Sequence, residues 1–369
     1  MNRPVYIMVG GFLGAGKTTT VARLARHYLA QGKRIGIVTN DQTDDLVDTH
    51  SLRAQGFDVG EVAGSCFCCN FDALTSTVEG LGADALPDVI LAEPVGSCTD
   101  LVATVIRPLT QVYGKPLDVA PYGVILKPSH GLKILRQESR RGFSPQAEYI
   151  FRKQLEEADF ILINKIDQLT AGVVDELKQL LVKEFPERPV LGFSARTGEG
   201  FAEFAELLEQ RGDFGNRALE VDYDVYAAGE AELGWLNCQI VASSSAEFDL
   251  DGLLLDLVAR LRHRLLESDS ESAHVKAIGM NEGSYAVANL VSNAMEPELS
   301  LASQARVAQA NLILNARVAT DPEELESVVR DQVKAACQAV AAKHTITNLQ
   351  SFRPGRPVPT HRLATNTSE

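Results

Sequence analysis

The sequence predicts an α/β protein: a mostly parallel sheet covered by helices, followed by a smaller α+β domain. Three observations carry this. Six short apolar runs alternate with helix-like segments between residue 4 and residue 196. A glycine-rich stretch, GFLGAGKT, joins the first run to the first helix. Two later stretches, LGWLNCQIVASSSAEFDLDGLLLDLVARL from Leu233 and ANLILNARVATDPEELESVVRDQVKAAC from Ala310, each read as strand then helix.

Taken in order, residues 4 to 10, PVYIMVG, form a continuous apolar strand, as a parallel strand buried on both faces requires. TTTVARLARHYLAQG has helical periodicity and stops at Gly32. KRIGIVTND, DVILAEP, PYGVILK, DFILINK and PVLGFSA are each bounded by turn or polar residues and read as strands. FAEFAELLEQRG is the last helix of the layer, and GDFGNRA reads as a linker, which sets domains at 1–215 and 216–345. A chain of 369 residues exceeds what one hydrophobic core usually serves, so two domains are expected. In the second, AHVKAIGM and GSYAVANLVS add strands between the two strand-helix copies, the pattern of a ferredoxin-like unit. Residues 346–369, ending SFRPGRPVPTHRLATNTSE, are proline-rich and polar and read as an extended, partly disordered tail.

Composition narrows the function. With 45% hydrophobic and 23% charged residues the chain can bury a sizeable core. A formal net charge of −14 argues against binding nucleic acid, which needs clustered Lys and Arg. No run of about 20 apolar residues occurs, so no membrane partner is expected and the protein reads as cytoplasmic. Thiols stay reduced in that compartment, so a tight cysteine cluster points to metal or redox chemistry rather than disulfides.

GFLGAGKT, Gly11 to Thr18, satisfies G-x-x-x-x-G-K-[ST] between a strand and a helix, which makes the first domain a P-loop NTPase domain. Backbone N–H groups of Gly11, Gly14, Ala15 and Gly16 converge on phosphate oxygens, Lys17 neutralises the β- and γ-phosphates, and Thr18, followed by Thr19, ligates Mg²⁺. ILINKID carries N-K-x-D at Asn164, Lys165 and Asp167. Asp167 can accept hydrogen bonds from N1–H and the 2-amino group of guanine, for which adenine has no counterpart, so GTP and GDP are the expected nucleotides. FSARTGEG follows, with Ser194, Ala195 and Arg196 where a GTPase places its second base-contacting loop. Glu93, ending the strand of DVILAEPVGS, is placed to hold Mg²⁺ or position the attacking water, and Gly96 to offer its N–H to the γ-phosphate. Asp41, closing GIVTND, is the first-switch candidate. The plain alternative for either acid is a solvated strand-end carboxylate.

Three of the six cysteines, Cys66, Cys68 and Cys69, crowd into GSCFCCNF between the two switch candidates. Three thiolates can bind a soft or borderline ion such as Zn²⁺ and leave a fourth position for water, another side chain or a client's ligand. A carried ion, a structural zinc and a redox thiol pair all remain open at this point.

Assembled in this order, GGFLGAGKTTT, EVAGSCFCCNF, ILAEPVGS and ILINKID resemble the CobW-type metal-chaperone GTPases, relatives of the GTPases that insert nickel into urease and hydrogenase. The resemblance covers roughly residues 4 to 212. It implies a slow Mg-dependent GTPase whose nucleotide state controls metal capture and release, with a client metalloprotein or metallocofactor enzyme as partner and a homodimer as a common arrangement. Position by position, it implies phosphate and Mg²⁺ roles for Lys17 and Thr18, a second-switch acid at Glu93, guanine contacts at Asn164 and Asp167, and metal thiols at Cys66, Cys68 and Cys69, for Zn²⁺, Co²⁺ or Ni²⁺. Departures stand beside it. Asp41 is a shorter carboxylate than the family's usual one, EPVGSCTD replaces a commoner Thr-Gly pair and adds Cys98, and the chain, with seven His, has no histidine-rich stretch. Two other functions fit parts of the pattern: a GTP-dependent activase of a corrinoid or other metallocofactor enzyme, and a P-loop small-molecule kinase, against which the guanine-reading motif argues.

Overall fold

The computed structural model describes residues 3–42, 46–82, 86–136, 144–212 and 214–363. The chain separates into two compact units: Met1–Asp44, Gly56–Gly229 and Arg356–Glu369 in one, Asp45–Gln55 and Glu230–Gly355 in the other.

The first unit opens with β1 (Val5–Gly11), α1 (Lys17–Ala30) and β2 (Ile35–Asn40). After an excursion through α2 (Val47–Ala54), it continues with β3 (Val59–Val62), α3 (Phe71–Gly80) and β4 (Val89–Glu93). A π-helical turn at Val102–Ile106 runs into α4 (Arg107–Gln111), followed by β5 (Asp118–Val119), β6 (Gly123–Leu126), α5 (Pro128–Leu135) and α6 (Pro145–Glu157). β7 (Phe160–Ile163), α7 (Ala171–Glu184), β8 (Val190–Gly192), α8 (Phe201–Leu208) and α9 (Tyr223–Glu230) complete it. The sheet order is β3-β2-β4-β1-β6-β7-β8, with β5 beside the start of β1, and every pairing is parallel. Strands sandwiched between helices have no solvated face, which is why β4, β6 and β7 are buried at every position. Gly11, Asp41, Glu93, Asn164, Ser194 and the cysteine loop all lie at or just after the carboxyl ends of strands, the side on which open parallel sheets bind ligands.

The second unit contains β9 (Gly234–Asp249), α10 (Leu250–Glu267), β10 (Ser272–Asn281), β11 (Ser284–Leu290), β12 (Glu298–Leu301), β13 (Arg306–Val318), α11 (Pro322–Ala339) and β14 (Lys343–Phe352). Its antiparallel order, β12-β11-β10-β13-β9-β14, contains the β14-β9-β13-β10 order of a ferredoxin-like unit, extended at one edge by the β11–β12 hairpin. α10 and α11 share a core with one sheet face through Leu254, Leu257, Leu314 and Val329. On the alternate positions, Ile278, Val287 and Ile313 receive Val47 of α2. Asn315 Oδ1 accepts from the Val47 N–H at 3.0 Å, and Lys276 pairs with Asp48 at 2.5 Å.

The division differs from the one read along the sequence. The first unit runs on to Gly229 and regains residues 356–363, because Asp159 accepts from Gly215 N–H and α9 packs with the first unit through Tyr226, whose hydroxyl accepts from Thr99 N–H. The second unit takes α2, which lies in the middle of the first unit's sequence. Residues 346–352 are not an arm but the end of β14, and 353–363 are extended and held by defined contacts; the tail beyond 363 lies outside the described residues.

Candidate functional site

At the phosphate end, Gly16 caps α1 in the left-handed region at φ 97, and a Cβ there would stand 2.3 Å from Asn164 Nδ2. Asn164 makes use of that space: its Nδ2 donates to Ala15 O at 2.7 Å. Lys17 is buried and donates to Gly11 O at 3.0 Å, folding its ammonium back over the loop. A Cβ on Gly96 would stand 2.9 Å from that ammonium, so the segment after β4 passes close to it. Thr18 Oγ1 donates to Glu93 Oε1 at 2.9 Å. No acidic residue occupies the first turn of α1, so its positive end is left for an anion.

The other end of the site is built on two side chains. Asn164 Oδ1 accepts from Ala195 N–H at 2.9 Å and from Lys165 N–H at 2.7 Å, so a single amide ties the phosphate loop to both loops read as base-contacting. Arg23, on α1, donates to Ala195 O and Arg196 O, each at 2.6 Å. Asp167 pairs with Arg196 at 2.5 Å; burial works against its charge, but hydrogen bonds from Ser194 and Arg196 prevail and hold the carboxyl below its ordinary range.

The segment after Glu93 is fixed from beneath by α6. Gln154 Nε2 donates to Gly96 O at 3.0 Å and Cys98 O at 2.8 Å. Glu157, fully buried, accepts from Val102 N–H at 3.1 Å and from the Thr99 hydroxyl at 3.3 Å; burial pushes its carboxyl up to about 8. Asp100 sits at φ 63, a left-handed position, with its carboxylate accepting from Tyr223 at 2.7 Å. Asp41 stands at the carboxyl edge of β2, beside β4, its N–H donating to Val62 O at 3.3 Å. Residues 43–45, which follow the segment read as the first switch, lie outside the described residues.

Cys66, Cys68 and Cys69 lie in the turn between β3 and α3, where Cys66 O accepts from Cys69 N–H at 3.0 Å and Asn70 N–H at 3.1 Å. Asn70 then caps α3. The sulfurs are 3.0 Å (Cys66–Cys68), 3.1 Å (Cys66–Cys69) and 3.7 Å (Cys68–Cys69) apart. A tetrahedral zinc with Zn–S of about 2.3 Å sets sulfurs about 3.8 Å apart, so the ring needs only a modest expansion to take an ion. Shared hydrogen bonding with Cys66 pushes the Cys69 thiol up to about 11, and Cys68 is raised likewise. Metal binding at Cys68 and Cys69 would therefore release protons. Cys98 is buried and its thiol reaches Cys68, but it is not part of the group whose ligand atoms all lie within 4.8 Å of one another.

Asn40, the last residue of β2, holds this loop on both flanks. Its Nδ2 donates to Val62 O at 2.8 Å and Ser65 O at 2.7 Å, and its Oδ1 accepts from Phe67 N–H at 2.8 Å. The motifs did not single out Asn40, Arg23, Gln154 or Glu157. A buried Asn at the end of an apolar strand was the one readable signal, since such a group has to find partners.

The family model for the CobW/HypB/UreG nucleotide-binding domain matches residues 5–191. The chain belongs to this family. Among curated members, the zinc chaperone CobW of Sinorhizobium sp is 27% identical over 217 residues, covering 52% of this chain and 59% of its own. The zinc chaperone CobW of Pseudomonas aeruginosa is 30% identical over 217 residues, covering 50% and 54%. The chain thus spans between half and three-fifths of the length of these CobW relatives. A solved structure of the Zn(II)-bound YjiA GTPase from E. coli aligns over 90% of this chain and 99% of its own at 17% identity, with a TM-score of 0.38. No described helix is long and apolar enough to cross a membrane.

Proposed function

We propose that the chain is a GTPase that carries a transition metal on Cys66, Cys68 and Cys69 for a client metalloprotein, with the bound nucleotide setting how tightly the metal is held. One observation supports it above the others. Asn40 clamps both flanks of the cysteine loop and is bonded directly to Asp41, the first-switch carboxylate, so a shift of the switch backbone is passed to the thiols within one residue. A structural zinc would call for a closed shell, whereas the mutually close group here is three thiols. Zinc is the favoured cargo, in keeping with the names of the relatives, and thiolate ligands suit it.

Within this reading Lys17 neutralises the terminal phosphates from the floor of the loop. The paired oxygens of Thr18 and Glu93 are hard donors that suit Mg²⁺, with the Thr18 hydroxyl as the direct ligand and Glu93 behind it; the ion would supply charge neutralisation between the β- and γ-phosphates. Gly96 lies close to the Lys17 ammonium, where its N–H would be offered to the γ-phosphate. Asn164 holds both loops, and Asp167 exchanges Arg196 for the guanine donors when the base enters, a replacement made easier by the exposure of the arginine. Asp167→Asn should weaken GTP binding on the order of 10² fold, since a hydrogen bond to a charged group is worth about 1.5–3 kcal/mol, and should favour xanthosine nucleotides. Nucleotide titration checks this, and equal ATP and GTP binding by the unaltered chain would refute the assignment of the base.

The cargo reading is tested by equilibrium dialysis against Zn²⁺. About one ion per chain is expected, as three clustered thiolates allow, and none above background after Cys66, Cys68 and Cys69 are all changed to Ser. Full retention in that variant would place the metal elsewhere.

A further inference from the structure

The C-terminal segment, residues 356–363, lies across the cysteine loop of its own unit. Val358 N–H donates to Cys69 Sγ at 3.3 Å, and Thr360 N–H donates to Cys68 O at 2.8 Å. The Thr360 hydroxyl adds a bond to Cys69 O at 3.2 Å, and the His361 ring stands edge-on to Phe71, 5.2 Å between centroids. The sequence of the segment suits this placement. Pro357 and Pro359 have no N–H and hold the backbone extended, so the alternate residues Val358 and Thr360 are left as donors on one side, the side of the thiols. A proline-stiffened strand loses little entropy on docking, so few contacts suffice to keep it down.

Its far end is anchored elsewhere. Arg362 Nε donates to the buried carboxylate of Asp100 at 2.7 Å, and Leu363 N–H to Ala103 O at 2.9 Å. Asp100 lies in the EPVGSCTD segment, seven positions beyond Glu93, in the strained left-handed backbone already described. One short segment therefore touches both the thiols and the end of the second switch.

We propose that residues 356–363 are a strap over the metal site, in which Val358 and Thr360 position Cys69 and Cys68 and Arg362 anchors the strap to the second switch, so that cargo leaves only when the strap lifts. The consequence rests on the reading of Cys66, Cys68 and Cys69 as the cargo site; the covering of Cys69 does not. An N–H aimed at sulfur fixes its direction and occupies a lone pair that an electrophile would otherwise meet, and supporting hydrogen bonds likewise orient other metal ligands. Lifting the strap removes that donor and opens the side of the loop from which a chelating client would approach. Movement of the segment after Glu93 would carry Asp100, and with it Arg362.

The test uses the full chain, a variant ending at Gly355, and Arg362→Ala and Arg362→Lys, with two readouts. In metal-free protein, the rate of Cys69 alkylation by iodoacetamide, read by site-resolved mass spectrometry, should rise at least tenfold on truncation and in Arg362→Ala, with Arg362→Lys recovering part of the protection. In Zn²⁺-loaded protein, the rate of metal loss to excess chelator should rise in the same order while the number of ions bound stays unchanged. If the shortened chain does not fold, the Arg362 pair decides alone. Alkylation rates within twofold of the full chain in a folded variant would overturn the strap. Altered alkylation in a chain that takes up no Zn²⁺ would keep the strap and overturn the cargo reading.

Discussion

Replacing Lys17 by Ala will lower GTP hydrolysis by a factor on the order of 10² or more, the scale on which losing one stabilising donor at a reacting group acts. Lys17 is the one P-loop cation, it is buried at the positive end of α1, and its ammonium lies close to Gly96, in the segment read as the second switch. Thermal stability without nucleotide should change little, because the Gly11 carbonyl that accepts from the ammonium can be solvated once the side chain is gone. Lys17→Arg should not restore activity, since a planar guanidinium does not reproduce the compact ammonium that donates to Gly11 O. Hydrolysis of GTP within threefold of the unaltered chain would refute the phosphate-loop assignment.

The rate of the unaltered chain alone should be low. Neither switch segment holds an arginine in GIVTND or EPVGSCTD, and such a cation is worth roughly 10³ to 10⁵ in rate where present.

Much of the first unit was legible because its strands are continuous apolar runs and its motifs sit directly at their carboxyl ends, as with Gly11 after β1 and Asn164 after β7. β3 was not. VGEV is four residues with a central Gly-Glu, and nothing in its pattern separates it from a loop; its partner β2 decides it. β14 was missed for another reason. A register shift between Ile346 and Asn348 breaks the two-residue alternation of KHTITNLQSF, so a half-exposed edge strand reads as polar tail. The excursion of α2 into the second unit could not be seen, because VDTHSLRA is a plain helix in sequence and its fit to Ile278 and Ile313 spans more than two hundred positions. Of the site, the residues read as meeting phosphate, base and metal carried signatures. The residues that hold them, Asn40, Gln154, Glu157 and Arg362, did not, because a positioning side chain is defined only by what it reaches in space.

The cysteine loop is held by Asn40, beside the segment read as the first switch, and tied through Arg362 to Asp100, at the end of the segment read as the second. Ordering of either segment by a γ-phosphate should therefore alter the separation of three sulfurs now 3.0 to 3.7 Å apart. Coupling of this kind typically amounts to about 5 to 150 fold, and by linkage a metal that favours the GTP form raises GTP affinity over GDP by the same factor. The direct measurement is a competition titration of Zn²⁺ against a chromophoric chelator with GDP and with a non-hydrolysable GTP analogue, at one fixed pH because thiol protons are released on binding. Tighter Zn²⁺ binding in the GTP-analogue state, matched by an equal Zn²⁺-dependent gain in analogue affinity, is the predicted result; identical Zn²⁺ affinities in the two states would contradict it.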